Sequence, residues 1–117
     1  MSRALLTAWE QTLRRHGGQR AVVQAADGHA VTFRELDARA TAWRTAHAPA
    51  PEALARRAVD FAAPNGIGWL EIFLGLMRAG ALAVPLDAQE PPAAQRRTAR
   101  AVRASFWWDG TTLQPLL

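Results

Sequence analysis

The sequence predicts an α/β fold: helices and strands alternate around a mainly parallel sheet, with a β-hairpin near the N-terminus. Three observations carry that expectation. Apolar stretches of helical spacing are followed repeatedly by short apolar runs of strand length. Asp27-Gly28 stands between two β-prone runs, the strongest short-range signal for a hairpin. The segment Leu76 to Asp87 carries an apolar helix into Ala79-Gly80 and then directly into a strand ending Val84-Pro85-Leu86-Asp87. Short helix-to-strand joins of this kind suit right-handed βαβ crossovers.

Each element follows from its own residues. Leu5, Trp9 and Leu13 recur at helical spacing, and His16-Gly17-Gly18 closes that first helix. Ala21 to Ala25 reads as a strand that returns through Ala30-Val31. Thr32-Phe33-Arg34-Glu35 is a capping box, and Leu36, Ala40 and Trp43 form the inner face of the helix it starts, with Phe33 beside them. Arg34, Arg39 and Arg44 fall mainly outside. The two prolines between Ala48 and Glu52 break that helix.

Ala58 to Ala62 is expected to be a short strand, although Asp60 interrupts its apolar character. Pro64-Asn65-Gly66 opens a third helix, with Asn65 as the expected N-cap. From Trp69 through Met77 this helix is apolar nearly all round, Glu71 being its only charge, so it should pack on several sides. Gly80 ends it. Leu82-Ala83-Val84 is too apolar to expect an exposed face. Pro91-Pro92 suits the first turn of a fourth helix reaching about Ala104. Ser105 to Trp108 forms another strand, and Asp109-Gly110 turns it back toward Leu113.

Composition narrows the chemistry. A chain of 117 residues is expected to be a single domain, residues 1–117, with one modest core. No apolar run approaches a membrane span, and Glu10, Arg14 and Arg15 interrupt any leader-like segment, so a cytoplasmic location is expected. There is no cysteine, which excludes thiolate catalysis and disulfides. All 14 basic residues are arginine, so lysine-dependent Schiff-base, phosphate-loop and acyl-adenylate chemistry is closed to this polypeptide alone. The net charge of +4 bears on solubility and partners more than on fold.

The ordered motifs resemble those of the adenylate-forming superfamily, which includes acyl-CoA synthetases and peptide-synthetase adenylation domains. Val31-Thr32-Phe33-Arg34-Glu35-Leu36 resembles its first core motif, usually Leu-Thr-Tyr-x-Glu-Leu. Pro64-Asn65 resembles its turn before a buried helix. Leu76 to Asp87, with Ala79, Gly80, Pro85 and Asp87, resembles its second core motif, and Glu90-Pro91 resembles the stretch after it. The resemblance covers about Ala21 to Trp108, the front of the large domain. Phe33 stands where tyrosine is usual, and Arg56-Arg57-Ala58-Val59 replaces a Gly-Asp-x-Val pattern, which marks a divergent member. The family's Gly-rich loop with its lysine, its adenine-site motifs, its ribose-binding aspartate and its C-terminal lysine have no counterpart here.

What the resemblance implies is therefore scaffold more than chemistry. Thr32, Phe33, Glu35, Leu36, Pro64, Asn65, Ala79, Gly80, Pro85 and Asp87 are expected as structural motif residues, with no catalytic, cofactor-binding or metal-ligating residue among them. ATP and Mg are expected only for a complete enzyme. The expected partner is the remainder of such an enzyme, or a second copy covering an open sheet, with no membrane contact. Asp109-Gly110-Thr111-Thr112 reads as a hairpin turn, not a phosphate loop. His16, His29 and His47 have no metal-ligand spacing and are expected to be exposed or capping. Trp107 and Trp108 should face opposite sides of their strand, one toward the core and one toward a covering segment or partner. Arg96, Arg100 and Arg103 share one helical face, read as solvated; nucleic-acid binding is not expected. The functions left open on these grounds are the N-terminal scaffold of an acid-activating ligase, inactive by itself, or a noncatalytic truncated relative that self-associates or binds a partner, with an arginine-mediated nucleic-acid binder as a third and weaker alternative.

Overall fold

The computed structural model describes residues 3–48, 50 and 52–116. In chain order the elements are α1 (Arg3–His16), β1 (Arg20–Val23), β2 (Ala30–Thr32), α2 (Phe33–His47), β3 (Ala58–Phe61), α3 (Ile67–Arg78), β4 (Leu82–Pro85), α4 (Pro92–Ala101), β5 (Phe106–Trp108) and β6 (Leu113–Pro115). The first two strands pair as an antiparallel hairpin. The rest form one sheet in the order β4-β3-β5-β6, with β3 parallel to both its neighbours and β6 antiparallel to β5. The mainly parallel α/β architecture and the early hairpin are those the sequence predicts.

Alternation along the central strand assigns the two faces of the sheet. Val59 and Phe61 point into a core with Trp43 of α2, Ile72 and Leu76 of α3, and Trp108 of β5. On the other face Trp107 packs with Ala99 of α4 and Ala104, with Ala58 partly buried beside them. The adjacent tryptophans thus do face opposite ways, and the segment covering Trp107 is α4. A third cluster of Val31, Leu36, Ala40, Ile67, Leu74 and Met77 joins the hairpin to α2 and α3, with Leu6 and Trp9 of α1 packed on it. The apolar circumference of α3 is explained: it serves two cores at once.

Several local expectations need correction. The hairpin is not closed by a two-residue Asp27-Gly28 turn. Its connection spans residues 24–29, held by Gln24 N–H donating to the His29 carbonyl at 2.7 Å and by Asp27 Oδ1 accepting from His29 N–H at 2.9 Å. The N-cap of α3 is Gly66, not Asn65. With φ of 144° that position lies outside the ordinary range of side-chain-bearing residues, and no side chain of its own caps the helix. A distant side chain serves instead, with Gln24 Oε1 accepting from Ile67 N–H at 3.4 Å. Of the helix-breaking loop after α2, Pro49 and Pro51 lie outside the described residues.

The fourth helix stops at Ala101, three residues short of the expected Ala104. Ala104 N–H donates to the Ala99 carbonyl at 3.0 Å and Arg103 takes φ of 59°, the left-handed turn that ends helices. α3 ends in the same way, by Ala81 N–H on the Leu76 carbonyl at 3.0 Å around Gly80 at φ of 75°. β4 was expected to be covered on both faces, yet it is an edge strand and Leu82 is 51% exposed. Leu82 N–H donates inward to the Arg57 carbonyl and Leu86 N–H to the Phe61 carbonyl, which fixes the hydrogen-bonding phase of that edge.

Candidate functional site

The first motif is built as the sequence spells it. Thr32 Oγ1 accepts from Glu35 N–H at 3.1 Å, and Glu35 Oε1 accepts from Thr32 N–H at 2.8 Å. Those bonds hold the exposed Glu35 carboxyl below its ordinary pKa, the Thr32 backbone donor being the main cause. Phe33 lies 6.0 Å from Trp9, ring centre to ring centre, and Leu36 is buried. These four residues fix the entry of α2 and do not line the two recesses described next.

The other two motifs meet. Pro64-Asn65 follows the carboxyl end of β3, and Leu86-Asp87 follows the carboxyl end of the parallel strand β4. Leu86 N–H donates to the Phe61 carbonyl at 2.7 Å, so the two exits leave the sheet together. Between them Ala63, Pro64, Asn65, Trp69, Asp87 and Gln89 border a recess of about 290 Å³. Asp87 is occupied in holding its own turn, accepting from Gln89 N–H at 2.8 Å. Ala79 and Gly80 stand at the opposite end of α3, and Pro85 closes β4.

Beside this recess a wider open cleft of about 440 Å³ lies over the carboxyl ends of β3 and β5. Its apolar wall includes Trp43, Trp69, Ile72 and Trp108, and its polar groups are Gln24, Asn65 and Glu71. Glu71 is paired with Arg39 at 3.2 Å. In open parallel sheets this end, where strands release their chains into loops, is where ligands bind. The residue types present can seat a molecule by packing and hydrogen bonding, and none is a nucleophile with an adjacent base.

The remaining candidates fall elsewhere. The Asp109 to Thr112 segment is a hairpin turn between β5 and β6, with Asp109 Oδ1 accepting from Thr111 N–H and Thr112 N–H at 2.8 Å each. Desolvation raises the Asp109 pKa, but these two donors, with the Gln114 and Thr112 side chains, outweigh it and hold the carboxyl below its usual range. His16 and His29 are exposed, whereas His47 is half-buried with its ring 4.7 Å from that of Trp108. That departs from an exposed or capping role, because the end of α2 lies against the sheet. No group of His, Asp and Glu suited to a metal ion occurs among the described residues.

Two features escaped sequence reasoning. Asp60 is fully buried at the centre of β3, between Val84 and Trp107, and neither carboxylate oxygen has a hydrogen-bond partner. Burial raises its pKa to about 6. Its place in an otherwise apolar strand is the only signal in the sequence. The second is Asp37, which joins Trp9 to Arg78 across three helices.

This fold and this pairing of motifs define the front subdomain of an adenylate-forming enzyme. The AMP-binding enzyme family model matches residues 9–112, and the chain belongs to that family. Solved structures agree in fold. The anthranilate CoA ligase AuaEII, in complex with anthranoyl-AMP, matches with a TM-score of 0.71 at 20% identity, over 87% of this chain and 19% of that one. ATP-bound MatB from Rhodopseudomonas palustris matches at 0.72 and 20% identity, over 92% of this chain and 21% of that one. The N-terminal subdomain of NpsA from Klebsiella oxytoca matches at 0.71 and 19% identity, over 95% and 29%. The chain therefore spans less than a third of the length of these proteins. Comparison with curated protein sequences finds no match.

Proposed function

We propose that this chain is the N-terminal scaffold of an AMP-dependent acid–thiol ligase and is inactive by itself. In the complete enzyme a carboxylic acid displaces pyrophosphate from ATP to give an acyl-adenylate, and the acyl group then passes to a thiol. This segment's part is to hold the carboxyl-end crevice open and rigid. The observation that carries the reading is the meeting of Pro64-Asn65 with Leu86-Asp87 at adjacent parallel strand ends, in a recess with no lysine and no base-activated nucleophile. ATP, Mg and the adenylating residues belong to the remainder of the enzyme, the partner this reading requires, and a cytoplasmic location goes with it.

The test has two arms. With ATP, Mg and a panel of carboxylic acids, the 117-residue chain is expected to release no pyrophosphate. The reading frame is then followed beyond Leu117 in the gene. A continuation into a Gly-rich loop with lysine, whose full product releases pyrophosphate, supports the ligase; turnover by the short chain overturns its assignment as scaffold. The half-exposed Leu82 on an edge strand favours a second reading, a noncatalytic partner-binding module. A stop after Leu117 supports that reading and overturns the first.

A further inference from the structure

The whole formal charge excess of this protein resides on one short helical segment. Of its 14 arginines, four lie at Arg96, Arg97, Arg100 and Arg103; the ten elsewhere are matched by ten Asp and Glu. Residues 92–103 contain no acid. All four arginines are exposed, and none takes part in the ion pairs found among the described residues. The inner side of α4 is made by Gln95 and Ala99, with Gln95 Nε2 donating to the Glu90 carbonyl at 2.8 Å. The guanidinium face is therefore the one turned away from the sheet.

That face is shaped as well as charged. Ala93, Arg96, Arg97 and Arg100 line a shallow groove of about 440 Å³, separate from the carboxyl-end cleft. The arrangement works against the stability of the isolated chain. Like charges at i, i+4 repel along a helix, as Arg96 and Arg100 do. Arg103 occupies the left-handed position after the helix, where glycine is favoured. Helix-dipole complementarity explains Arg100 in the last turn but neither Arg96 nor Arg97.

We propose that the arginine face of α4 docks an acidic helix of a partner protein, one carrying Asp or Glu at i, i+4 spacing. Carboxylates one helical turn apart are about 6 Å apart, the spacing at which Arg96 and Arg100 leave their own helix. Arginine forks bind carboxylates through paired N–H donors, which gives orientation as well as attraction. A nucleic acid fits less well. Arg96 to Arg103 extends only about 10 Å along the axis, short of the roughly six to ten phosphate contacts that give strong backbone binding. Every tryptophan and phenylalanine among the described residues is at least partly buried, and none lies on α4 to stack a base. The inference stands whether the chain works as ligase scaffold or as a noncatalytic module.

The test is fluorescence anisotropy with a labelled peptide of about 20 residues built from Glu-Ala-Ala-Ala-Glu units, at roughly 0.05 M salt. Saturable binding is expected, weakened about tenfold by the combined substitution Arg96→Gln, Arg97→Gln and Arg100→Gln, as loss of three exposed ion pairs would give. A control with Arg14→Gln, Arg15→Gln and Arg20→Gln removes the same charge elsewhere and is expected to change binding less than about twofold. Circular dichroism confirms that both variants fold. In a charge-swapped pair, the combined substitution Arg96→Glu, Arg97→Glu and Arg100→Glu is expected to recover affinity for the same peptide with lysine in place of glutamate. No saturable binding, or equal weakening by the two triple variants, overturns the proposal. So does tighter binding of a labelled DNA strand of equal length, which assigns the face to nucleic acid.

Discussion

Asp37 and Arg78 are joined by a 2.8 Å hydrogen bond from Arg78 Nε to Asp37 Oδ1, and the same oxygen accepts from Trp9 Nε1 at 2.8 Å. One carboxylate thus ties α1, α2 and α3 together. Its importance follows from the first helix, none of whose described residues is fully buried. Leu6 and Trp9 touch the core only from its rim. Apolar burial alone holds α1 weakly, and the polar clamp supplies direction.

Replacing Asp37 with Ala is therefore expected to destabilise the chain by about 1–3 kcal/mol, since the Trp9 indole and Arg78 Nε lose their acceptor and Arg78 keeps only its longer 3.8 Å pair with Glu10. Urea titration measures the loss. Amide exchange should locate it, with protection falling in α1 before it falls in α3. A uniform loss of protection across all helices would contradict the clamp.

Gly75 marks the closest approach of α2 and α3. A Cβ built there lies 2.8 Å from Trp43 Cε3 and 3.0 Å from the Ala40 carbonyl oxygen. Gly75→Ala would normally strengthen a helix, yet here it forces the two helices apart. The expected cost is about 1–3 kcal/mol from overpacking, net of the helix-propensity gain. A raised thermal midpoint for Gly75→Ala would show that the contact yields easily.

Gly80 gives the contrasting case. A Cβ there meets nothing closer than 3.8 Å, so space is available, but φ is 75°. Gly80→Ala is expected to cost about 1–2 kcal/mol through backbone strain alone. Gly80→Asn, which tolerates the left-handed region better, should recover part of it in the same denaturation assay.

Asp60 makes stability depend on pH in an unusual direction. Its folded pKa, raised by burial to about 6, lies above the ordinary 3.8. Between those values the folded state holds a proton that the unfolded chain has released, so stability falls as pH rises from about 4 to 6 and then levels off. The loss is on the order of 3 kcal/mol. Asp60→Val should stabilise the protein at neutral pH and flatten this slope. An unchanged slope in denaturant midpoints between pH 4 and 7 would place the titration elsewhere.

The parts of the fold legible in the sequence are those governed by neighbours in the chain. The capping box at Thr32 and Glu35, the end of α3 at Gly80 and the opposed faces of Trp107 and Trp108 each depend on short-range geometry. What escaped is set by residues far apart. Gln24 capping α3 spans 43 positions, and Asp37 reaching Arg78 spans 41. The edge placement of β4 depends on strand order, which apolar content does not encode. The end of α4 was misplaced because Arg103 takes a backbone conformation that its identity does not advertise. The carboxyl-end recess was legible only as two separate motifs, since its existence depends on β3 and β4 lying side by side.

The phase of hydrogen bonding along β4 has a consequence for colloidal behaviour. Because Leu82 and Leu86 donate inward, alternation turns the amide positions of residues 83 and 85 outward. Position 85 is proline and has no hydrogen to offer. The free edge of the strand therefore presents a single outward donor, at Ala83. A foreign strand, including one from another copy, finds the carbonyls of residues 83 and 85 as acceptors but only one donor, so an extended cross-β ladder is weakened there. The proline that ends the strand thus also halves the outward donors of an exposed, leucine-bearing edge and makes it a poorer template for fibres.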